Sequence, residues 1–361
     1  MSKGIGARVS QVLPSGTTQK EVAASVGMTP DAFSRALKGE RGFSAIELAN
    51  LADVLNQDVH YLITGEPDPR RLVPAARHAY DRDTRERSVD SYHQDRQVLD
   101  DIALAYHQAG ECAAQPSTVP TDLAEARERL GDDFVRVMLE RLEGRCGIDV
   151  VRVPELTTSY SFCVGERAVI AIPAKGNWFR ENWDMAHELA HHVLGHADVI
   201  AADGKDVEEY ERQANKFAAE LLLPQALMDS LDWASMTPKE LADQVWVLGV
   251  STQALSTRLT NLRVAVSQQV NSLLQLTTQA LLRRHWTGAT MRDEITERIQ
   301  AASARHFPLW IQEAHLDRIA EGSARKGTLA WMLGVAEDAL EVDAPEAPKS
   351  MAPADLEKIL S

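Results

Sequence analysis

Two histidines four residues apart, with a glutamate directly after the first, constrain this 361-residue chain more than any other feature: His187-Glu188-Leu189-Ala190-His191. On a helix positions i and i+4 sit one turn apart on the same face, so a helix over about 179–194 lets both imidazoles reach one ion. That stretch holds good helix formers, no internal Pro or Gly, and Gly195 to end it. Glu188, one step round the helix, swings toward the same ion without being a ligand and is placed to take a proton from water there. Zinc with an open position needs a third protein ligand. Leu194 and Ala197 stand where a metzincin would need glycine and histidine, so that arrangement fails. A glutamate from the next helix, about 206–223, is the remaining source. Glu211 is the candidate, with Glu208 and Glu209 as alternatives. Asn215, one turn past Glu211, is expected to orient a ligand histidine by a hydrogen bond. His192 and His196 form a second i, i+4 pair, but no glutamate follows His192, so the pair is expected to face solvent or to support the first.

The surrounding chain reads as mainly α with a small antiparallel β-sheet before the motif helix, an α+β architecture. Short β-type runs fall at Ile148–Val153, Tyr160–Val164 and Val169–Ile172. Asp122–Gly144 reads as one or two helices, and Val98–Ala109 as another. Thr237-Pro-Lys-Glu240 is a capping box that opens the helical C-terminal part. Helix–glycine–helix units recur at Gly249–Leu262 and Lys326–Leu340 without basic clusters, which suits packing or partner surfaces. Near the end, helices are expected at Leu316–Glu321 and Arg325–Leu333.

The first 65 residues form a separate five-helix pattern. Thr18-Gln-Lys-Glu21 is a capping box, Gly27 ends that helix, and Thr29-Pro30 opens the next. Helix, glycine turn and helix over 17–38 have the length of a helix-turn-helix. The chain carries a formal charge of −15, from 38 Lys and Arg against 53 Asp and Glu, which excludes a general nucleic-acid coat. A local basic group, Arg35, Lys38 and Arg41, is the exception. In a DNA-docked geometry Thr29, Ser34 and Arg35 lie on the recognition helix, Arg35 reads guanine, Lys38 and Arg41 meet phosphates, and Gln19 anchors the backbone. The other possibility is a protein-docking module.

Apolar residues make up 44% and charged residues 25%, as in a globular protein. No run nears the ~18 apolar residues of a membrane helix. The N-terminus lacks a signal-peptide pattern, and three cysteines (Cys112, Cys146, Cys163) show no disulfide or zinc-knuckle spacing. A cytoplasmic protein that uses no membrane is therefore expected. The boundaries expected are 1–65 for the DNA-binding module, 66–120 for a linker or helical segment, 121–235 for the domain with the motif, 236–342 for a helical region, and 343–361 for a disordered tail.

Trp183-Asp-Met-Ala-His-Glu-Leu-Ala-His191, followed by Glu211-x-x-Ala-Asn-x-Phe-Ala-x-x-Leu-Leu-x-Pro224, resembles the ImmA/IrrE family of bacterial and phage zinc metallopeptidases over about 122–262. Residues 5–65, through Gln19-x-x-x-Ala23, Gly27 and Ser34-Arg-x-Leu-x-x-Gly39, resemble the XRE (Cro/phage-repressor-like) module. The first resemblance implies His187, His191 and Glu211 as ligands of Zn2+, Glu188 as general base, and cleavage of a helix-turn-helix repressor. The second implies an operator DNA partner and action as a homodimer. Ala190 departs from the glycine common at that position. Tyr160, Tyr210 and His192 are the candidates for an oxyanion donor. The other reading of the whole is a DNA-binding regulator, antitoxin-like, whose peptidase-like part senses a signal or partner.

Overall fold

The computed structural model describes residues 4–14, 16–55, 57–66, 75–76, 79–80, 87–88, 90–110, 116–196, 207–288 and 293–343. The expected disordered tail and Cys112 lie outside them. The chain divides into two compact units, Met1–Arg71 and Leu72–Ser361.

The first unit holds α1 (Ile5–Val12), α2 (Gln19–Ser25), α3 (Pro30–Leu37), α4 (Ala45–Leu55) and α5 (Val59–Thr64). Local signals set its helix ends. Thr18 and Glu21 form the reciprocal capping box of α2, and Thr29 caps α3 with Pro30 at its first position. Ser44 and Glu47 make the same exchange at the start of α4. Val9, Val22, Ala23, Phe33, Leu51 and Leu62 fill the core. Gly6 is required where α1 crosses the end of α3: a Cβ there would stand 2.4 Å from the Leu37 carbonyl oxygen.

The second unit is built on one sheet. After β1 (Ala75–Ala76), β2 (Ala79–Tyr80) and β3 (Arg87–Ser88) come α6 (Asp90–Ala109), α7 (Leu123–Leu130) and α8 (Met138–Cys146). Then follow β4 (Asp149–Val153), β5 (Tyr160–Val164) and β6 (Arg167–Pro173), and the two helices α9 (Trp178–Val193) and α10 (Val207–Leu222). Helix α6 begins at Asp90, well before the expected Val98, and Arg96 and Asp100 lie one turn apart on it at 4.0 Å.

The sheet runs β1-β5-β6-β4 and is mixed, not antiparallel. Strand β6 pairs antiparallel with β5 but parallel with β4, Asp149 opposite Val169 through Val153 opposite Pro173. The reason is topological. The chain leaves β4 at one edge, skips one position to β5, and turns back through a hairpin at Gly165 into the space between them. Two reversals leave β6 running with β4. Alternation along β6 sends Ala168, Ile170 and Ile172 to one core and Val169 and Ala171 to another. Helix α9 covers the first face, and α6 with α17 (Leu309–Ala320) the second. Burial on both faces explains why β6 reads as a continuous apolar run.

The remaining helices are α11 (Gln225–Ser230), α12 (Pro238–Leu248), α13 (Thr252–Leu262), α14 (Gln268–Leu274), α15 (Thr278–His285), α16 (Glu294–Ser303), α17 and α18 (Gly327–Leu333). Leu241, Val245, Leu255, Leu281 and Ile295 share one core with α7–α10, so the helices from Pro238 to Ser303 brace the motif helix. The Asn182 amide donates to the Gly249 carbonyl at 2.9 Å and ties α9 to the α12–α13 turn. Helix α17 starts at Leu309, earlier than the expected Leu316, because Pro308 opens it. Among the described residues no helix is long and apolar enough to cross a membrane.

Candidate metal centre

Helices α9 and α10 pack side by side, and their facing surfaces bring three donors together. His187 Nε2 lies 3.2 Å from His191 Nε2 and 3.3 Å from Glu211 Oε2, and His191 Nε2 lies 3.5 Å from Glu211 Oε1. Among the described residues this is the cluster of His, Cys, Asp and Glu donors able to hold a metal ion. Four donors held tetrahedrally about ~2.05 Å from a zinc ion stand ~3.3 Å from one another. The three observed separations bracket that value. Both histidines are fully buried, and Glu211 Oε1 has no hydrogen-bond partner among the described residues. A buried carboxylate facing two imidazole nitrogens at these separations fits a cation there. Burial works against the Glu211 charge, but the His187 and His191 rings outweigh it and hold the carboxyl well below its usual range. The residues present therefore fit zinc.

The supporting contacts form a chain in which each proton has one place to go. The Gln213 amide donates to Glu209 Oε1 at 2.8 Å, which leaves Gln213 Oε1 facing His196 Nε2 at 3.2 Å. Nε2 of His196 must then carry its proton, and His196 Nδ1 accepts from His191 Nδ1 at 3.1 Å. That leaves the His191 Nε2 lone pair toward the cluster, as ligation requires. The Tyr210 ring lies against His196, centroids 4.6 Å apart. His196 reaches this position because Gly195 adopts φ +67°, turning the chain back at the end of α9. Burial and then the neighbouring His191 lower the His196 pKa. Replacing His196 with Ala is expected to weaken zinc binding by about 10–100-fold, measured by competition with a chromophoric chelator.

Glu188 is fully buried and accepts from Ser161 Oγ at 2.8 Å. Ser161 alternates with Tyr160 and Phe162 along β5 and so faces α9. It carried no sequence signal, since a lone serine in a strand marks nothing.

Several expected residues lie elsewhere. The Asn215 amide donates to the Glu211 main-chain oxygen at 2.8 Å and not to a histidine, because a side chain four residues on meets its own helix first. Of the second histidine pair, His196 supports the first pair through His191, the second of the two roles expected for it, while His192 is half-buried. His192 Nε2 lies 3.0 Å from the Val169 carbonyl, and burial against the sheet lowers its pKa to about 4. The Tyr160 hydroxyl donates to the buried Asp95 at 2.9 Å, on the far face of the sheet. Asp95 also accepts from the Thr157 amide and hydroxyl, which pins the loop entering β5. Glu209 is engaged by Arg212 and Gln213, which leaves Glu211 as the carboxylate at the histidines.

A groove of about 710 Å3 lies between α9, α10 and α13, and none of the three donors lines it. Its walls include Trp183 and Asp184, one turn before His187, Asn215 and Lys216, one turn after Glu211, and Thr257 and Arg258 of α13.

In the first unit Gln19, Thr29, Arg35 and Lys38 are exposed, and Ser34 and Arg41 are half-buried. Arg35 has only a loose contact with Glu40 at 3.9 Å. Arg41 is held by Glu47 at 2.7 Å, a pairing that competes with its expected phosphate contact.

No curated protein and no solved structure gave a significant match to the chain. Residues 144–260, which carry the three donors together with Glu188, Ser161 and His196, match the model of the IrrE N-terminal-like domain, a Peptidase M78 family.

Proposed function

We propose that the chain is a zinc-dependent endopeptidase that cuts a transcriptional regulator, a helix-turn-helix repressor, and that residues 1–65 bring it to DNA. The observation that carries the hydrolase reading is the convergence of His187, His191 and Glu211 at ligand–ligand separations, with the buried Glu188 directly after His187 in the chain. Zinc at such a cluster acidifies a water and polarises a carbonyl. Glu188 takes the proton of the attacking water and delivers it to the departing amine. A base used twice must hold its position between the two transfers, and the Ser161 hydroxyl holds one of its oxygens.

The test is co-expression with a helix-turn-helix repressor taken from the genes that flank its own. Wild type is expected to deplete the repressor, and Glu188→Ala to leave it intact. Equal repressor levels in both strains would instead favour the regulator reading, in which residues 1–65 bind DNA and the second unit senses a partner.

The DNA-docking part is supported by the exposed Arg35 and Lys38 on and just beyond α3. A good bidentate arginine–guanine contact is worth about 1–3 kcal/mol. Arg35→Ala is therefore expected to weaken operator binding between about fivefold and a hundredfold and to relax sequence preference. Lys38→Ala is expected to lower affinity evenly across sequences and to flatten the salt dependence. Fluorescence anisotropy over a salt series measures both.

A further inference from the structure

An endopeptidase must hold its substrate extended, and an open sheet edge beside the reacting centre does so with main-chain hydrogen bonds. In this chain that edge is β5, whose Ser161 hydrogen-bonds Glu188. The edge has an occupant. Strand β1 pairs antiparallel with β5, Ala75 opposite Ser161 and Ala76 opposite Tyr160, and it forms the outermost strand of the sheet. The residue opposite Ser161 thus belongs to the stretch joining the first unit to the second, Leu72-Val-Pro-Ala-Ala-Arg77.

We propose that the outer edge of β5 is the docking edge for an extended peptide and that the chain's own Ala75–Ala76 segment is its resting occupant, a tethered strand that a substrate must displace. Among the described residues the pairing covers two residues, against the five of β5. A segment on the same chain competes at high effective concentration, so so few ladder bonds suffice to hold it. An incoming strand that matches the whole of Tyr160–Val164 gains more bonds and replaces it. The same edge then serves both the closed and the working enzyme.

This inference rests on reading the site as a peptidase, but its test reads strand exchange and not cleavage. Proline donates no hydrogen bond to a ladder, so the full-length, zinc-loaded Ala75→Pro/Ala76→Pro variant frees the edge. Hydrogen–deuterium exchange of the peptide containing Tyr160 and Ser161 is expected to speed at least tenfold over wild type. A fluorescein-labelled peptide of residues 70–80 is expected to bind the variant at least tenfold more tightly. In an antiparallel pair only one of two adjacent residues donates toward the neighbouring strand. One of the two single-proline variants is therefore expected to reproduce most of the effect, which guards against misfolding of the double variant. Unchanged exchange, or equal peptide affinity for wild type and variants, including no binding to any, overturns the proposal. A wild type that takes up no zinc but shows the exchange difference would remove the peptidase reading and leave the strand pairing standing.

Discussion

Glu188→Gln is expected to leave zinc uptake at the wild-type level and to lower kcat/KM for the repressor by about 10⁴, the upper end of what a general acid–base group contributes. The upper end is expected because one carboxylate serves both the attack and the departure of the amine. Glutamine keeps the shape and can still accept from Ser161 Oγ, so the buried packing around position 188 survives. What it loses is the ability to take a proton. Cleavage of purified repressor, followed by gel with zinc content measured on the same preparations, checks this. A variant that retained more than a tenth of wild-type activity would assign the proton transfers to another group.

Zinc is expected to stabilise the second unit strongly. An ion that binds the folded state alone adds about 4 kcal/mol at a thousand times its Kd. For a unit of this size that is a rise in Tm on the order of 10 °C. The cause is visible in the cluster: a buried carboxylate and two imidazoles converge with donor atoms 3.2 to 3.5 Å apart, and a cation shared by all three stabilises that arrangement. His187→Ala removes one donor and is expected to abolish the zinc-dependent shift. The transition of the first unit, which contributes no donor, is expected to stay in place. Scanning calorimetry with and without zinc measures it. Equal shifts in wild type and His187→Ala would place the ion elsewhere.

Local chemistry was the part of the fold most legible in the sequence. The capping boxes at Thr18 and Thr237 are written within four residues, and the structure forms both. The spacing of His187 and His191 needed only a helix, and α9 supplies it. What escaped was set by distant packing. The parallel β4–β6 pair depends on how the chain crosses between sheet edges, which no single strand records. Ser161 reaches Glu188 from 27 residues upstream, so nothing near the motif points to it. His196 was visible only as half of a second histidine pair. Gly195 directly before it was the overlooked signal, since a left-handed residue after a helix sends the next side chain back over the last turn. Asn215 was misplaced because its own helix offered a nearer acceptor than the histidine across the gap.

The donor triad is tested most directly by counting the ions it holds. Wild type and Glu211→Ala, each loaded with zinc and dialysed against zinc-free buffer, are compared by mass spectrometry of bound metal. One zinc per chain in wild type and almost none in Glu211→Ala is the predicted result. A wild type that holds no zinc, or a Glu211→Ala variant that holds as much, would contradict it.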